Sequence, residues 1–497
     1  MFNWLIQAVN KVKEISGSID KYKEDSVIQS LPSYSCVSRA KKLIEQNKFE
    51  DAKLILERAL SLPQKDALVY KYLGVVNERL GNSDLAVENY QTSADIEPHD
   101  KTIWQKLGFA LISVGKFEQA EKSFENADKV QANNTDTFTG WGMALMKQKK
   151  YSQAREKFMN ASKINKYNFS AVFLCAVMEI KLEMYDKAEM KLTFLANVCP
   201  NESNTFEFAR LKAIKNDISS AIHYAKKSLE YNPEMLPAYI LLGQLYASNY
   251  DREKSIEYFE EAEERNLFSV NLYLEWAKVL ERFGDYNAAK AKLLKAFELD
   301  KDNLDVMANL GLCCAARNEY DEARPLLEKV FAADSENSVV KQALGIIDYQ
   351  NGDIDSAITL FKNNDEDCVN CYYLAKCYEK KNNDTKVKDF YESALTRNPK
   401  YLSAYIDYAE YLMSKNEYDE ARRKLRKAIK VDENNLTVLN LLFYVNYVLV
   451  KDEVYEYNVK ETIKIAQKIE EINPDLFEYP EQKAELERLL QNISERE

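Results

Sequence analysis

The 497-residue chain offers little material for acid–base, nucleophilic or metal chemistry. Its two histidines, His99 and His223, lie far apart, which leaves nothing for a triad or an imidazole-rich metal site. Cys368 and Cys371 have the spacing of half a zinc site, with Cys377 beyond, but a structural site needs a second pair. Cys313 and Cys314 are adjacent and read as core thiols. Paired acids such as Glu260–Glu261 have no pocket motif beside them and read as solvated helix surface. No GxGxxG, GxxxxGK[ST], HExxH or GxSxG occurs. The chain reads as no enzyme, with no cofactor and no metal.

The elements that position these residues are read from composition. Only 12 residues are Gly and 10 are Pro, too few for the turns of a sandwich, a barrel or a phosphate-binding loop. A hydrophobic share of 46% and a charged share of 30% fit a packed, well-solvated helical chain. The net charge of −12 argues against a nucleic-acid partner. No apolar run approaches the ~20 residues of a membrane span. The N-terminal Met1–Ile6 stretch lacks the basic and apolar regions of a secretory signal. The eight cysteines then read as reduced thiols, and the expected compartment is the cytoplasm.

Internal repeats decide the architecture. Tyr70, Leu73, Gly74, Gly81, Ala86, Tyr90, Ser93 and Pro98 recur 34 residues on as Trp104, Leu107, Gly108, Gly115, Ala120, Phe124 and Ala127. A further step gives Phe138, Trp141, Gly142, Ala154, Phe158 and Ala161. The register continues through thirteen starts: 33, 67, 101, 135, 169, 202, 236, 270, 304, 338, 368, 402 and 436. Position 8 is small in twelve of the thirteen; the thirteenth has Phe443. This pattern resembles the tetratricopeptide repeat (TPR) family. The resemblance implies an all-α, right-handed α-solenoid (superhelix) of antiparallel helix pairs, A and B, which bury their apolar faces by stacking. Small residues at positions 8 and 20 let A and B approach. Prolines near position 32, such as Pro98 and Pro200, stop helix B.

The array is expected over 33–474, preceded by an amphipathic segment and link (1–32) and followed by a C-terminal capping helix (475–497). Phe2, Leu5, Val9, Val12 and Ile19 give the first segment one apolar face, which could cover repeat 1, meet a partner or lie on a membrane surface. Leu486, Leu489, Leu490 and Ile493 do the same for the last helix. Repeat 10 is short, which predicts a local change of pitch. Repeat 13 carries an insertion of about seven residues around Lys451–Asn458. Pro325 should distort the start of its helix.

In this family the inner face is formed mainly by positions 2, 5, 9, 12 and 13 of helix A. The carboxylate clamp of chaperone-binding members is absent: Lys71 fits position 5, but Val75 stands at position 9. The asparagine ladder of sugar-transferase arrays is absent too, since only Asn309 fits. Repeats 4–6 instead place Met143, Met146, Phe173, Val177, Ile180 and Phe206 on this face, beside Lys181 and Arg210. Repeats 10 and 11 add Ile346, Tyr349 and Tyr372, next to Lys376 and Lys380. An apolar strip rimmed by charge marks a protein-binding surface. The expected function is therefore a non-catalytic scaffold or adaptor that holds a peptide or helix of a partner protein. The alternatives are a self-assembling, homo-oligomeric subunit of a larger complex and a ligand-responsive TPR sensor.

Overall fold

In the computed structural model the described residues are 33–61, 66–362 and 367–494. The expected N-terminal amphipathic segment lies outside them. Among these residues the chain forms 27 α-helices, one three-residue 3-10 helix and no strand. The described residues form two compact units, divided between Leu267 and Phe268. Within each, consecutive helices pack as antiparallel pairs, an α-solenoid arrangement. Helix A of the successive pairs begins at residues 33, 67, 101, 135, 169, 202 and 236 in the first unit, and at 270, 304, 338, 368, 402 and 436 in the second. Asp, Asn or Ser side chains cap most of these starts, Met235 and Tyr401 before 236 and 402 being exceptions; Asn201 and Asn204 form a reciprocal capping box before Glu202–Ile214.

The joint between A and B explains the repeat pattern. A Cβ added to Gly74 would lie 2.5 Å from the Tyr90 ring, and one added to Gly108 would lie 2.6 Å from Phe124. The aromatic ring at position 24 thus occupies the space that glycine leaves at position 8. Where position 24 is Leu56, Leu192, Leu293 or Leu425, position 8 is Ala40, Ala176, Ala277 or Ala409, although Leu327 meets Gly311 and Tyr391 goes with Ala375. Repeat 13 inverts the relation: fully buried Phe443 stands on helix A, and Ala466 on helix B belongs to the same apolar cluster. The bulk has changed helices and the joint stays filled.

The A–B turns share a second constraint. Position 15 adopts positive φ in each of repeats 1–12. Four of these residues are Gly and five are Asn, which tolerate the left-handed region. Lys149, Glu183 and Tyr250 hold it at φ of 60°, 58° and 59° without that tolerance, and all three lie in the first unit.

Charged residues tie neighbouring pairs. Position 21 of helix B reaches position 11 or 16 of the next repeat in six joints. These include Arg155–Glu179 at 2.9 Å, the charge-reversed Glu189–Lys212 at 2.7 Å, Lys290–Glu319 at 2.9 Å and Lys388–Glu417 at 2.6 Å. Glu121–Lys150 at 3.1 Å and Arg324–Asp348 complete the set.

The irregular repeats resolve individually. Tyr320–Ala333 runs unbroken through Pro325 at 14 residues, the length of helix B in repeats 2–6, so the expected distortion leaves its extent unchanged. A proline six residues in removes one backbone bond near an end where the first four N–H groups have no helical partner anyway. Helix B of repeat 10 is only Ile354–Lys362, and 363–366 lie outside the described residues. The insertion in repeat 13 lengthens both helices, Leu436–Asp452 and Glu456–Ile472, to 17 residues, against 13 and 14 in repeats 2–6. Pro480–Ser494 packs on this last pair; Leu486 is buried, and Leu489, Leu490 and Ile493 pack against the same cluster. These leucines pack on the chain's own last helix pair, as the expected capping helix would.

Candidate functional site

The expected partner face draws on three A helices: Thr135–Lys147, Phe169–Lys181 and Glu202–Ile214. Helical spacing puts Met143 and Met146 on one turn, and Phe173, Val177 and Ile180 along one stripe. Met143, Met146 and Val177 pack on a core of Leu145, Phe158, Cys175 and Met178. Phe173 packs on the neighbouring core of Val172, Ala176 and Leu192. Phe206 is half-buried and belongs to neither cluster. Ile180 is 8% exposed and joins the second core, so it presents little surface. The other five apolar residues are half-buried, and all but Phe206 pack on one of these two cores. Arg210 is held by Glu207 on the preceding turn at 2.8 Å, while Lys181 is exposed.

Beneath this face sits a buried ion cluster that sequence reasoning missed. The Glu179 carboxylate is fully buried and receives Arg155 Nε at 2.9 Å and Lys191 Nζ at 2.8 Å. It lies one residue before Ile180 and locks repeats 4 and 5 together. Removing either cation would leave part of a buried carboxylate uncompensated.

In the second unit the corresponding face is polar. Tyr372 Oη donates to Asp407 Oδ2 at 2.7 Å, and Lys376 Nζ donates to the same atom at 2.6 Å. Burial and Asp407 both push the Tyr372 phenol up. Burial alone would lower Lys376, but its hydrogen bonds to Asp407 and Tyr372 outweigh it and hold the ammonium above its usual range. Glu379 and Glu410 accept no side-chain hydrogen bond among the described residues. Burial raises both, and Asp407 raises them further. Tyr372 is buried against Tyr373, Tyr391 and Tyr401, so it belongs to the core rather than to the expected strip.

The residues that could bear chemistry are dispersed. Both histidines are exposed, on different helix pairs. Cys371 and Cys377 are buried, and burial pushes the Cys377 thiol up to about 12, which makes it a poor nucleophile at neutral pH. Cys314, Glu319 and Glu322 bring potential ligand atoms within 4.8 Å of one another. Lys290 Nζ already binds both of those carboxylates, at 2.9 and 2.7 Å. Hydrogen bonds from Arg317 and Lys290 hold Glu319 down at about 2. An ammonium thus fills the place of a metal.

Models of the tetratricopeptide repeat match residues 236–267, 281–347, 315–367 and 402–435. A model described as the N-terminal TPR repeats region of Psidin matches 42–199. The chain belongs to the tetratricopeptide repeat family. No curated protein sequence matches this TPR chain significantly. Similar solved structures include the APC/C hetero-tetramer Cut9–Hcn1, at 14% identity over 91% of this chain and 95% of that one, with a TM-score of 0.43. Yeast Tom70 gives 18% identity over 86% and 96%, with a TM-score of 0.38. Pseudomonas aeruginosa pilF gives 20% over 41% and 93%, with a TM-score of 0.37. At these values the likenesses carry nothing about partners. The matching family models are all TPR models, and none describes an enzyme. Among the described residues no helix is long and apolar enough to cross a membrane.

Proposed function

We propose that this TPR protein is a non-catalytic interaction scaffold that holds a peptide segment or helix of a partner protein on the helix A face of repeats 4–6. The observation that carries the reading is the chemistry of that face. Met143, Met146, Phe173, Val177 and Phe206 are half-buried and uncharged, the first four packed on the cores beneath, with Lys181 and Arg210 at their edge. Rings and thioethers fixed on rigid helices lose little entropy on binding, and methionine adapts to varied partner shapes. A mixed apolar and cationic surface suits an amphipathic segment with acidic flanks.

The test replaces Phe173 and Phe206 with Asp in one variant. Both side chains are half-buried at the surface, so helix content and melting temperature should change little, while partner capture should fall at least about tenfold. Recovery of the same partners at the same yield by the well-folded double variant would overturn this assignment.

A further inference from the structure

The last inter-repeat joint departs from two others built on the same pair of positions. In repeats 5 and 10 a carboxylate at position 11, Glu179 or Asp348, accepts a guanidinium from position 21 of the preceding repeat, Arg155 or Arg324. At the last joint the same two positions hold Asn446 and Arg422. Arg422 turns away and bonds Asp419 on its own helix at 2.7 Å. Asn446 is 5% exposed, and its Oδ1 has no hydrogen bond. It lines a cavity of about 230 Å³ between Tyr418–Val431 and the two helices of repeat 13.

We propose that this cavity binds an organic cation, an alkylguanidinium or alkylammonium group. Three observations point the same way. The buried Asn446 acceptor lacks a donor, in the place where two other joints seat a guanidinium. The wall carries Asp419, Glu453 and Glu461 against the single cation Arg422, which gives it an excess of negative charge. Glu461 is matched by Arg426 outside the cavity wall, whereas Glu453 has no ion pair among the described residues. Leu449 and Val450 suit an alkyl stem, and Asn458 and Thr462 complete the lining. The site is independent of the helix A face of repeats 4–6. A free small cation and a Lys or Arg side chain of another protein share this chemistry.

The experiment is calorimetric titration of the full chain with butylguanidinium, butylammonium and the neutral isostere butylurea. Saturable one-to-one binding of the cations, with butylurea at least about tenfold weaker, is the expected result. Asn446→Leu removes the acceptor and fills the space, and should abolish binding while helix content is retained. Should that variant misfold, Glu453→Gln at an exposed position is expected to weaken the cations at least about threefold. A blocked Gly-Arg-Gly peptide separates the sources. Binding about tenfold tighter than butylguanidinium assigns the site to a partner's side chain, and equal or weaker binding assigns it to a free cation. The inference fails if no cation saturates up to about 50 mM, if butylurea binds equally, or if folded N446L and E453Q both bind as the unaltered chain does.

Discussion

The helix A faces of repeats 4–6 and of repeats 10–12 use the same repeat positions and solve different problems. The first is thioether, ring and aliphatic at its centre, and its few polar bonds are peripheral: Arg210 to Glu207 on its own helix, and Asn168 Nδ2 to Thr139 Oγ1 at 3.1 Å. The second ties its polar groups to one another: Tyr372 and Lys376 both donate to Asp407, which stands on the next repeat. The backbone turns follow the same division. Repeats 4 and 5 hold Lys149 and Glu183 in the left-handed region, whereas every such turn in the second unit uses Gly or Asn. A face whose groups are satisfied within the chain is fixed and has little to offer a partner. A face whose apolar centre has no polar partner within the chain is open to one outside it, and its turns hold residues without tolerance for positive φ.

The sharpest way to break this contrast is to remove the centre of the second face. Asp407→Ala leaves a buried phenol and a half-buried ammonium without their acceptor, and should cost about 2–3 kcal/mol in urea unfolding. Met146→Ala on the first face, which deletes only half-buried apolar atoms, should cost under about 1.5 kcal/mol. The pH dependence carries the same signature. Lys376 is raised in the folded state. Its contribution is therefore fully present below the ordinary lysine range, near pH 10.4, and is lost as pH rises through the folded value. Unfolding titrations from about pH 10 upward should show this loss beginning in the unaltered chain and a flatter profile in D407A. Equal stability of the two proteins would show that the Tyr372–Asp407–Lys376 network does not hold the second face.

How far each face was legible depended on whether its determinants recur. Gly74 opposite Tyr90 and Gly108 opposite Phe124 repeat at a fixed spacing, so the helix pairs and their order could be read without coordinates. Asp407 and Lys376 could not be paired in this way, because the bond joins position 6 of one repeat to position 9 of another and occurs once. Tyr372 was misplaced for the same reason: its ring packs among Tyr373, Tyr391 and Tyr401, a local excess of aromatics that no repeat average describes. The links from position 21 to positions 11 and 16 did carry a sequence signal, opposite charges at a fixed repeat spacing. Reading that register across successive repeats would have exposed both Glu179 and the vacancy at Asn446.

The turns give an effect of intermediate size. Glu183→Gly and Lys149→Gly relieve a side-chain clash with the backbone at positive φ, but they also loosen the unfolded chain. The net should be a gain of up to about 1 kcal/mol for each, read as a higher urea midpoint. Asn416→Gly in the second unit should gain less, because asparagine already tolerates φ of 62°. A loss of stability in E183G would mean that the turn beside the open face is not strained.

The smallest effect asks whether the second face is fully satisfied. Glu379 and Glu410 are raised by burial, by Asp407 and, for Glu410, by Glu379. A carboxyl group raised on folding is less stable ionised in the folded chain than in the unfolded one. Its penalty is therefore present above the folded value and fades as pH falls through that value toward the ordinary range near 4.3. The double variant Glu379→Gln, Glu410→Gln should raise the melting temperature slightly at pH 7 and leave it unchanged near pH 4. High salt, which screens like charges on partly exposed groups, should shrink the difference. A variant less stable than the unaltered chain at pH 7 would show that these carboxylates are held by favourable contacts, and that the second face is tied more completely than the Asp407 network alone provides.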